Sequence, residues 1–504
     1  MKDTRPTLLV KGGRILDIES DPHRPTAADI LVENGVITKI EPASAVCPAG
    51  AMVIDASDRL VTPGFVNAHY HSHDILLKGC FDPLILEFWA VNALPRVYPP
   101  RSDEEVRLRT LLGAIECIRG GITTIQDMLT LFPLTARQAK VVQNAYDDAG
   151  LRVILGLQLA DVSPFDTVPY WRQLIPPELR DSLAAQPAPS APPPLEVAEE
   201  IFGSSQGEQS IVKWAVAPSS PERCTRRLME QLAAIAGRHD LPIYSHIYIS
   251  RAEALNARRA FPQHGGSLVA YLKELGILGP RLTLAHGVWL SNDEIDVLAD
   301  SRTNVVLNPV SNLKNKNGVA PIRKLIDAGV NLSLGCDNGS CSDAQNIFQA
   351  MKMFTLLAAV SDPREGPPTA VDALRAATSG GLRTAGLADR IGAIREGMRA
   401  DLVIFDSTDP VYLPLNSAAR QLVYGEGGRG VESVIIDGRI VMLNRKIMTV
   451  DELALRSELG HVAAVFQRDA QAVFARTERL HAHISEADRR MWQDDLGFDR
   501  YLAR

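Results

Sequence analysis

The hydrophobic pattern divides the chain into β-textured ends and an alternating middle. Over the first 60 residues, the apolar runs Leu8-Leu9-Val10, Arg14-Ile15-Leu16, Ile30-Leu31-Val32 and Val36-Ile37-Thr38 are separated by turn signals at Gly12-Gly13 and Asn34-Gly35. The same texture returns in Ala400–Asp406 and Val434–Val441, where Asp437-Gly438 reads as a hairpin turn. Each end is too small to bury a core alone, so the two are expected to form one β-sandwich domain. Between them, eight strand-like runs alternate with amphipathic stretches: Val61–Ala68, Thr123–Asp127, Arg152–Gln158, Val212–Ala217, Pro242–His246, Leu282–His286, Asn304–Asn308 and Asn331–Asp337. Glu104–Arg119, Arg223–Arg238 and Pro321–Ala328 carry helical periodicity.

This alternation predicts an α/β fold, a (β/α)8 TIM barrel over residues 63–390, with sandwich parts at 1–62 and 391–447. An open doubly wound sheet is the alternative, but the first strand is not followed by its GxGxxG. Residues 448–504 form a helical extension, with Leu459, Val462, Phe466, Val473 and Leu480 on its apolar face, expected to pack on the barrel or on a neighbouring subunit. The Pro- and Gly-rich stretch 182–210 is read as a surface loop without regular structure, a cover over the site being the alternative.

The 504 residues carry a net charge of -7, and no basic run suggests nucleic acid or an anionic membrane as partner. No apolar stretch reaches membrane-spanning length and no secretory leader pattern opens the chain. Six cysteines without CxxC spacing fit a reducing, cytoplasmic setting. The expected partners are a small-molecule substrate and further copies of the chain in a homo-oligomer.

The chemistry concentrates at strand ends. His69 and His71 follow an apolar strand at i and i+2, so both point the same way and can converge on one ion. His246, His286 and Asp337 each close a separate apolar run. Five candidate ligands or proton carriers at one end of barrel strands are hard to explain as isolated structural residues. His73 follows where the strand is expected to end and is assigned to substrate contact.

With these pieces in place, the chain resembles the amidohydrolase superfamily, in the branch of cytosine, guanine and S-adenosylhomocysteine deaminases and triazine hydrolases. The similarity lies in Pro63-Gly64-Phe65-Val66-Asn67-Ala68-His69-Tyr70-His71, Leu284-Ala285-His286-Gly287, Asn308-Pro309-Val310-Ser311-Asn312, Leu334-Gly335-Cys336-Asp337-Asn338 and Ile391–Leu402. The resemblance implies that His69, His71, His246 and Asp337 hold one divalent ion, zinc or alternatively iron, with His286 beside its water. Branches with two metals use a carboxylated lysine at the end of the fourth strand; Lys213 begins that strand here, which favours one metal. A divalent ion brings the pKa of its water from 15.7 to about 7. Asp337 then accepts the proton and delivers it to the leaving nitrogen, and His286 hydrogen-bonds the hydroxide or the developing oxyanion.

One departure bears on the reaction. Deaminases of this branch carry a glutamate three residues after the fifth-strand histidine, where this chain has Ile249; Glu253 is seven residues along and needs another loop path to reach the site. Isoleucine cannot protonate a heterocycle, so the residues favour hydrolysis of a carbonyl C–N bond in an amide, lactam, urea or carbamate. The alternative is deamination of a nucleobase, nucleoside or triazine, and a catalytically inactive metal-binding relative comes third. On this view Ile249 marks a substrate less basic than guanine or cytosine. Asn338, where relatives usually have glycine, suggests a remodelled pocket. Phe88, Trp89 and Gln158 complete the expected substrate contacts, with Asp127 a further strand-end candidate.

Overall fold

The computed structural model describes residues 5–42, 47–183, 193–204 and 210–501. All eight expected barrel strands form, in chain order within one parallel sheet: Phe65–His71, Ile122–Leu129, Arg152–Leu159, Val212–Pro218, Ile243–Ile247, Leu282–His286, Asn304–Leu307 and Leu332–Leu334. A short continuation of the last, Asp337–Asn338, lies beside Tyr70 and His71 of the first, which closes the ring. Every residue of Phe65–His71 and Ile122–Leu129 is buried, as expected for parallel strands covered on both faces.

The run Val61–Ala68 is two elements rather than one. Arg59–Pro63 pairs antiparallel with Leu402–Asp406, and Phe65–His71 enters the barrel. Gly64 makes the change of sheet, since a Cβ there would lie 2.0 Å from Thr123 Oγ1. Both chain ends meet in one nine-stranded sheet, where Leu8–Ile15 lies between Thr26–Glu33 and Arg59–Pro63. Its core includes Leu8, Val10, Ile30, Val61, Leu402, Ile404 and Ile435. The buried Arg152–Asp401 ion pair, at 2.8 Å, ties this sheet to the third barrel strand.

Pro194–Gly203 is a helix with Val197, Ala198, Ile201 and Phe202 buried, which corrects the expectation of an irregular loop across 182–210. Pro194 at the first helical turn, where its missing N–H costs nothing, and an apolar face to bury explain the outcome. Positions 184–192 and 205–209 of that stretch lie outside the described residues. The amphipathic segment read from Arg223 begins as a helix at Arg226, with Thr225 as its N-cap.

The extension forms helices Glu452–Thr477 and His481–Met491. Phe466, Ala470 and Val473 pack with Leu77, Trp89 and Tyr98, and Leu480, Ile484 and Ala487 with Val91, Trp171 and Ile175. These partners follow the first and third barrel strands, so the extension packs on the loops at the C-terminal mouth. The tail continues across it: Arg500 Nε donates to the carbonyl of Val288 at 3.0 Å, and its own carbonyl accepts from Val319 N at 2.7 Å. No helix of the described residues is long and apolar enough to cross a membrane.

A methyl group at residue 64 has no room beside Thr123. Gly64→Ala is expected to cost about 1–3 kcal/mol of unfolding free energy, read from the urea midpoint at unchanged slope.

Candidate active site

Three strand ends bring four side chains around one point. His69 and His71 come from the first strand, His246 from the fifth, and Asp337 from the continuation of the eighth. His71 Nε2 lies 3.2 Å from His69 Nε2 and 3.3 Å from His246 Nε2, and Asp337 Oδ1 is 3.4 Å from both His69 Nε2 and His71 Nε2. Two donors at about 2.0–2.1 Å from one ion and at a near-tetrahedral angle stand about 3.3–3.4 Å apart, the spacing found between these atoms.

The hydrogen bonds behind the ligands fix which nitrogens carry protons. His71 Nδ1 donates to the carbonyl of Met128 at 2.7 Å, and His246 Nδ1 to that of Ser219 at 2.6 Å. Carbonyl oxygens only accept, so the Nε2 atoms carry lone pairs that face one another and the Asp337 carboxylate. Such an arrangement is repulsive by itself and calls for a cation. The donor set fits a single divalent ion, zinc foremost. Lys213 is exposed at the start of the fourth strand, in no position to bridge a second metal at its end.

His286 stands at the end of the sixth strand, with Nε2 3.7 Å from Asp337 Oδ2 and Nδ1 donating to Asn312 Oδ1 at 2.8 Å. Ser311 Oγ donates to Asp337 Oδ2, and Asn338 Nδ2 to Oδ1 at 3.2 Å. His286 and Asp337 have φ of +78° and +64°, conformations unusual for side-chain-bearing residues and concentrated at functional sites. Gly335 lets the eighth strand approach, because a Cβ there would lie 2.7 Å from that of His69. Asn67 braces the same junction, accepting from Cys336 N at 2.9 Å and donating to Gln345 Oε1 at 2.9 Å.

The remaining expected residues divide into two groups. His73 lies against His71, ring centroids 5.2 Å apart, and both its ring nitrogens are buried without a protein partner. Gln158 donates from Nε2 to Ser219 Oγ at 2.9 Å, leaving Oε1 unpartnered, as is Oδ1 of Asn338. Ile249 is partly buried after His246, and its N–H donates to Glu253 Oε2 at 2.6 Å, so Glu253 does fold back toward this loop. By contrast, Trp89 is buried among Phe466 and Val473 with Nε1 donating to Ser340 Oγ at 2.7 Å, and Phe88 stacks on His481. These two were candidate substrate contacts with helix packing as the alternative, and the extension packs against their faces. Asp127 is likewise engaged, accepting from Tyr146 Oη at 2.6 Å and Ser72 N at 3.1 Å.

Sequence reasoning gave no role to Ser311, Asn312, Asn67, Glu87 or Glu222. Ser311 and Asn312 directly follow the seventh strand, a placement that could have singled them out. Glu87 and Glu222 stand buried, and carboxylates in such apolar settings are the detectable signal.

Burial is the main cause that lowers the histidines: His69 falls to about 3, and His73, His246 and His286 also lie below their ordinary value. Burial opposes the charge of Asp337, but His286, His69 and His71 around it hold its carboxyl well below the usual range. His69, His246 and His286 are therefore neutral imidazoles around a charged Asp337 carboxylate. An unfolded His69 takes up a proton near 6.5 and the folded one only near 3, so its stabilising contribution is complete above 6.5 and lost as pH falls. Metal-free protein should lose up to about 1.4 kcal/mol per pH unit from His69 within that window, measured by urea denaturation at stepped pH. His71→Ala and Asp337→Asn are expected to abolish bound divalent metal by elemental analysis. His286→Ala should keep the metal and lose about 100-fold or more in kcat; unchanged turnover removes His286 from the chemistry.

A sequence model of the amidohydrolase family matches residues 60–441. A 5′-deoxyadenosine deaminase of Methanothermobacter thermautotrophicus is 32% identical over 91% of this chain and 98% of its own length. A 5-methylthioadenosine/S-adenosylhomocysteine deaminase of Pyrococcus furiosus is 29% identical over 88% of this chain and 97% of its own. Among solved structures, an adenosine deaminase from Xanthomonas campestris with bound zinc superimposes with a TM-score of 0.80 at 27% identity, covering 93% of this chain and 99% of that one. The zinc-complexed atrazine chlorohydrolase of Arthrobacter aurescens shares the fold, with a TM-score of 0.79 at 21% identity over 90% of this chain and 100% of that one. With its own donor cluster at the strand ends, the chain belongs to the amidohydrolase family, as a metal-dependent hydrolase of carbon–nitrogen bonds.

Proposed function

We propose that this enzyme deaminates an adenosine-type nucleoside, replacing the exocyclic amino group by oxygen and releasing ammonia. The observation that carries this reading is near-full-length similarity to a protein named for 5′-deoxyadenosine deamination, 32% identical over 91% of this chain. It takes precedence over the carbonyl-hydrolysis preference drawn from Ile249, because a single missing side chain can be replaced from elsewhere in a folded site.

His69, His71, His246 and Asp337 would hold the ion, which when bound supplies water acidified into the neutral range. Asp337, charged and held by Ser311 and Asn338, accepts a proton from the attacking water and returns it to the departing nitrogen. His286, oriented by Asn312, faces the same carboxylate with its Nε2 lone pair and accepts a hydrogen bond from the attacking water. His73, Gln158 and Asn338 bring buried polar atoms without protein partners, suited to the edge of a polar heterocycle. Six unpaired cysteines support a reducing, cytoplasmic setting, and a homo-oligomer completes this reading.

Hydrolysis of a carbonyl C–N bond is the second reading, favoured by Ile249. Purified, zinc-loaded protein should release ammonia from 5′-deoxyadenosine, 5′-methylthioadenosine or S-adenosylhomocysteine, followed by the ultraviolet change from adenine to hypoxanthine. Turnover of ring amides or ureas with no ammonia from these nucleosides overturns the proposal.

A further inference from the structure

The loop after the fifth strand is ringed by three carboxyl groups that the metal cluster does not use. Glu253, in the first turn of helix Arg251–Ala260, reaches back to accept the N–H of Ile249 at 2.6 Å. Glu222 stands three residues beyond Ser219, whose carbonyl anchors His246; it is 6% exposed, with Oε1 accepting from Ser220 Oγ at 2.6 Å and Oε2 buried without a partner. Glu87, from helix Leu86–Ala93, accepts from Ser250 Oγ at 2.9 Å.

Deamination of an adenine-type ring needs a proton at the ring nitrogen beside the attacked carbon, because protonation makes that carbon electrophilic. Asp337 already handles the proton of the attacking water, so a separate acid is required. We infer that Glu253, positioned by the Ile249 backbone N–H, is the acid that protonates the heterocycle. The inference rests on the deaminase reading and names one more residue of the same site.

The proton balance closes. Glu253 gives its proton to the ring nitrogen while water oxygen bonds to carbon and Asp337 takes one water proton. The tetrahedral carbon then expels ammonia, which carries away the proton from Asp337. The remaining hydroxyl proton returns to Glu253 as the carbonyl forms. Both carboxyl groups end as they began.

Burial, then the charges of Glu222 and Glu87, push Glu253 well above the ordinary carboxyl value, against the Ile249 N–H and the Arg223 guanidinium. Glu222 is itself raised by burial, and Glu87 by burial with a further contribution from Asp488. An acid must be protonated to act, so its activity falls as pH rises through its own pKa.

The experiment uses zinc-loaded full-length protein with 5′-deoxyadenosine. Glu253→Gln, which can still accept the Ile249 N–H, is expected to lower kcat about 100- to 10,000-fold with KM, metal content and Tm unchanged. It should also abolish the alkaline limb of the kcat profile. Glu222→Gln removes a negative neighbour and should move that limb to lower pH. Infrared difference spectra of wild type and Glu253→Gln should show a protonated carboxyl at neutral pH that is lost in the variant. Unchanged kcat and limb in Glu253→Gln, or no such infrared band, overturns this role while leaving deamination intact. A wild type that deaminates none of the nucleosides overturns the function itself.

Discussion

The crowding of three imidazole nitrogens and a carboxylate, two of the nitrogens as bare lone pairs, is the constraint on which the rest of this structure depends. Two of the imidazoles are forced into that state by backbone carbonyls, those of Met128 and Ser219, which take the Nδ1 protons. Separations of 3.2–3.4 Å then leave like-signed electron density crowded at the barrel mouth, tolerable only around a cation. Selection for the ion therefore reaches well beyond its ligands, into strand register and into the backbone that carries the anchoring carbonyls.

The barrel supplies that register. Parallel strands present their C-terminal ends on one face, so ligands about 90 residues or more apart converge without a dedicated loop. Where regular geometry falls short, the chain accepts strain. His286 and Asp337 occupy the left-handed region, at a cost of about 1–3 kcal/mol each, and Gly335 allows the eighth strand to press against His69. Asn67, Ser311, Asn312 and Gln345 then lock the distorted strand ends in place.

The helical extension has a role inseparable from the mouth of the barrel. Its apolar face buries Trp89 and Val91, and its last residues hydrogen-bond to the loops after the sixth and seventh strands. Those loops carry the groups around His286, so packing of the C-terminal residues and geometry of the site are mechanically coupled. Around the fifth-strand loop, burial raises Glu87, Glu222 and Glu253 above the ordinary carboxyl value, in contrast to Asp337, which the surrounding imidazoles hold well below it.

The amino-acid sequence alone determined the barrel, the joining of both ends in one sheet, and which histidines and aspartate gather at the strand ends. Strand periodicity and a strand-end histidine or aspartate are local properties, readable at Phe65–His71, Ile243–Ile247 and Leu282–His286 without knowing what lies opposite. Only the tertiary structure decided that Trp89 is a packing residue, that Pro194–Gly203 is a helix, and that Glu253 turns back to Ile249. Trp89 depends on partners hundreds of residues away and Glu253 on a loop path, neither of which leaves a periodic trace, whereas Val197, Ala198, Ile201 and Phe202 keep a helical spacing that the surrounding Pro- and Gly-rich residues masked. The role of Glu222 was hidden for the same reason: a carboxyl group in a turn reads as solvated until the surrounding fold removes its water.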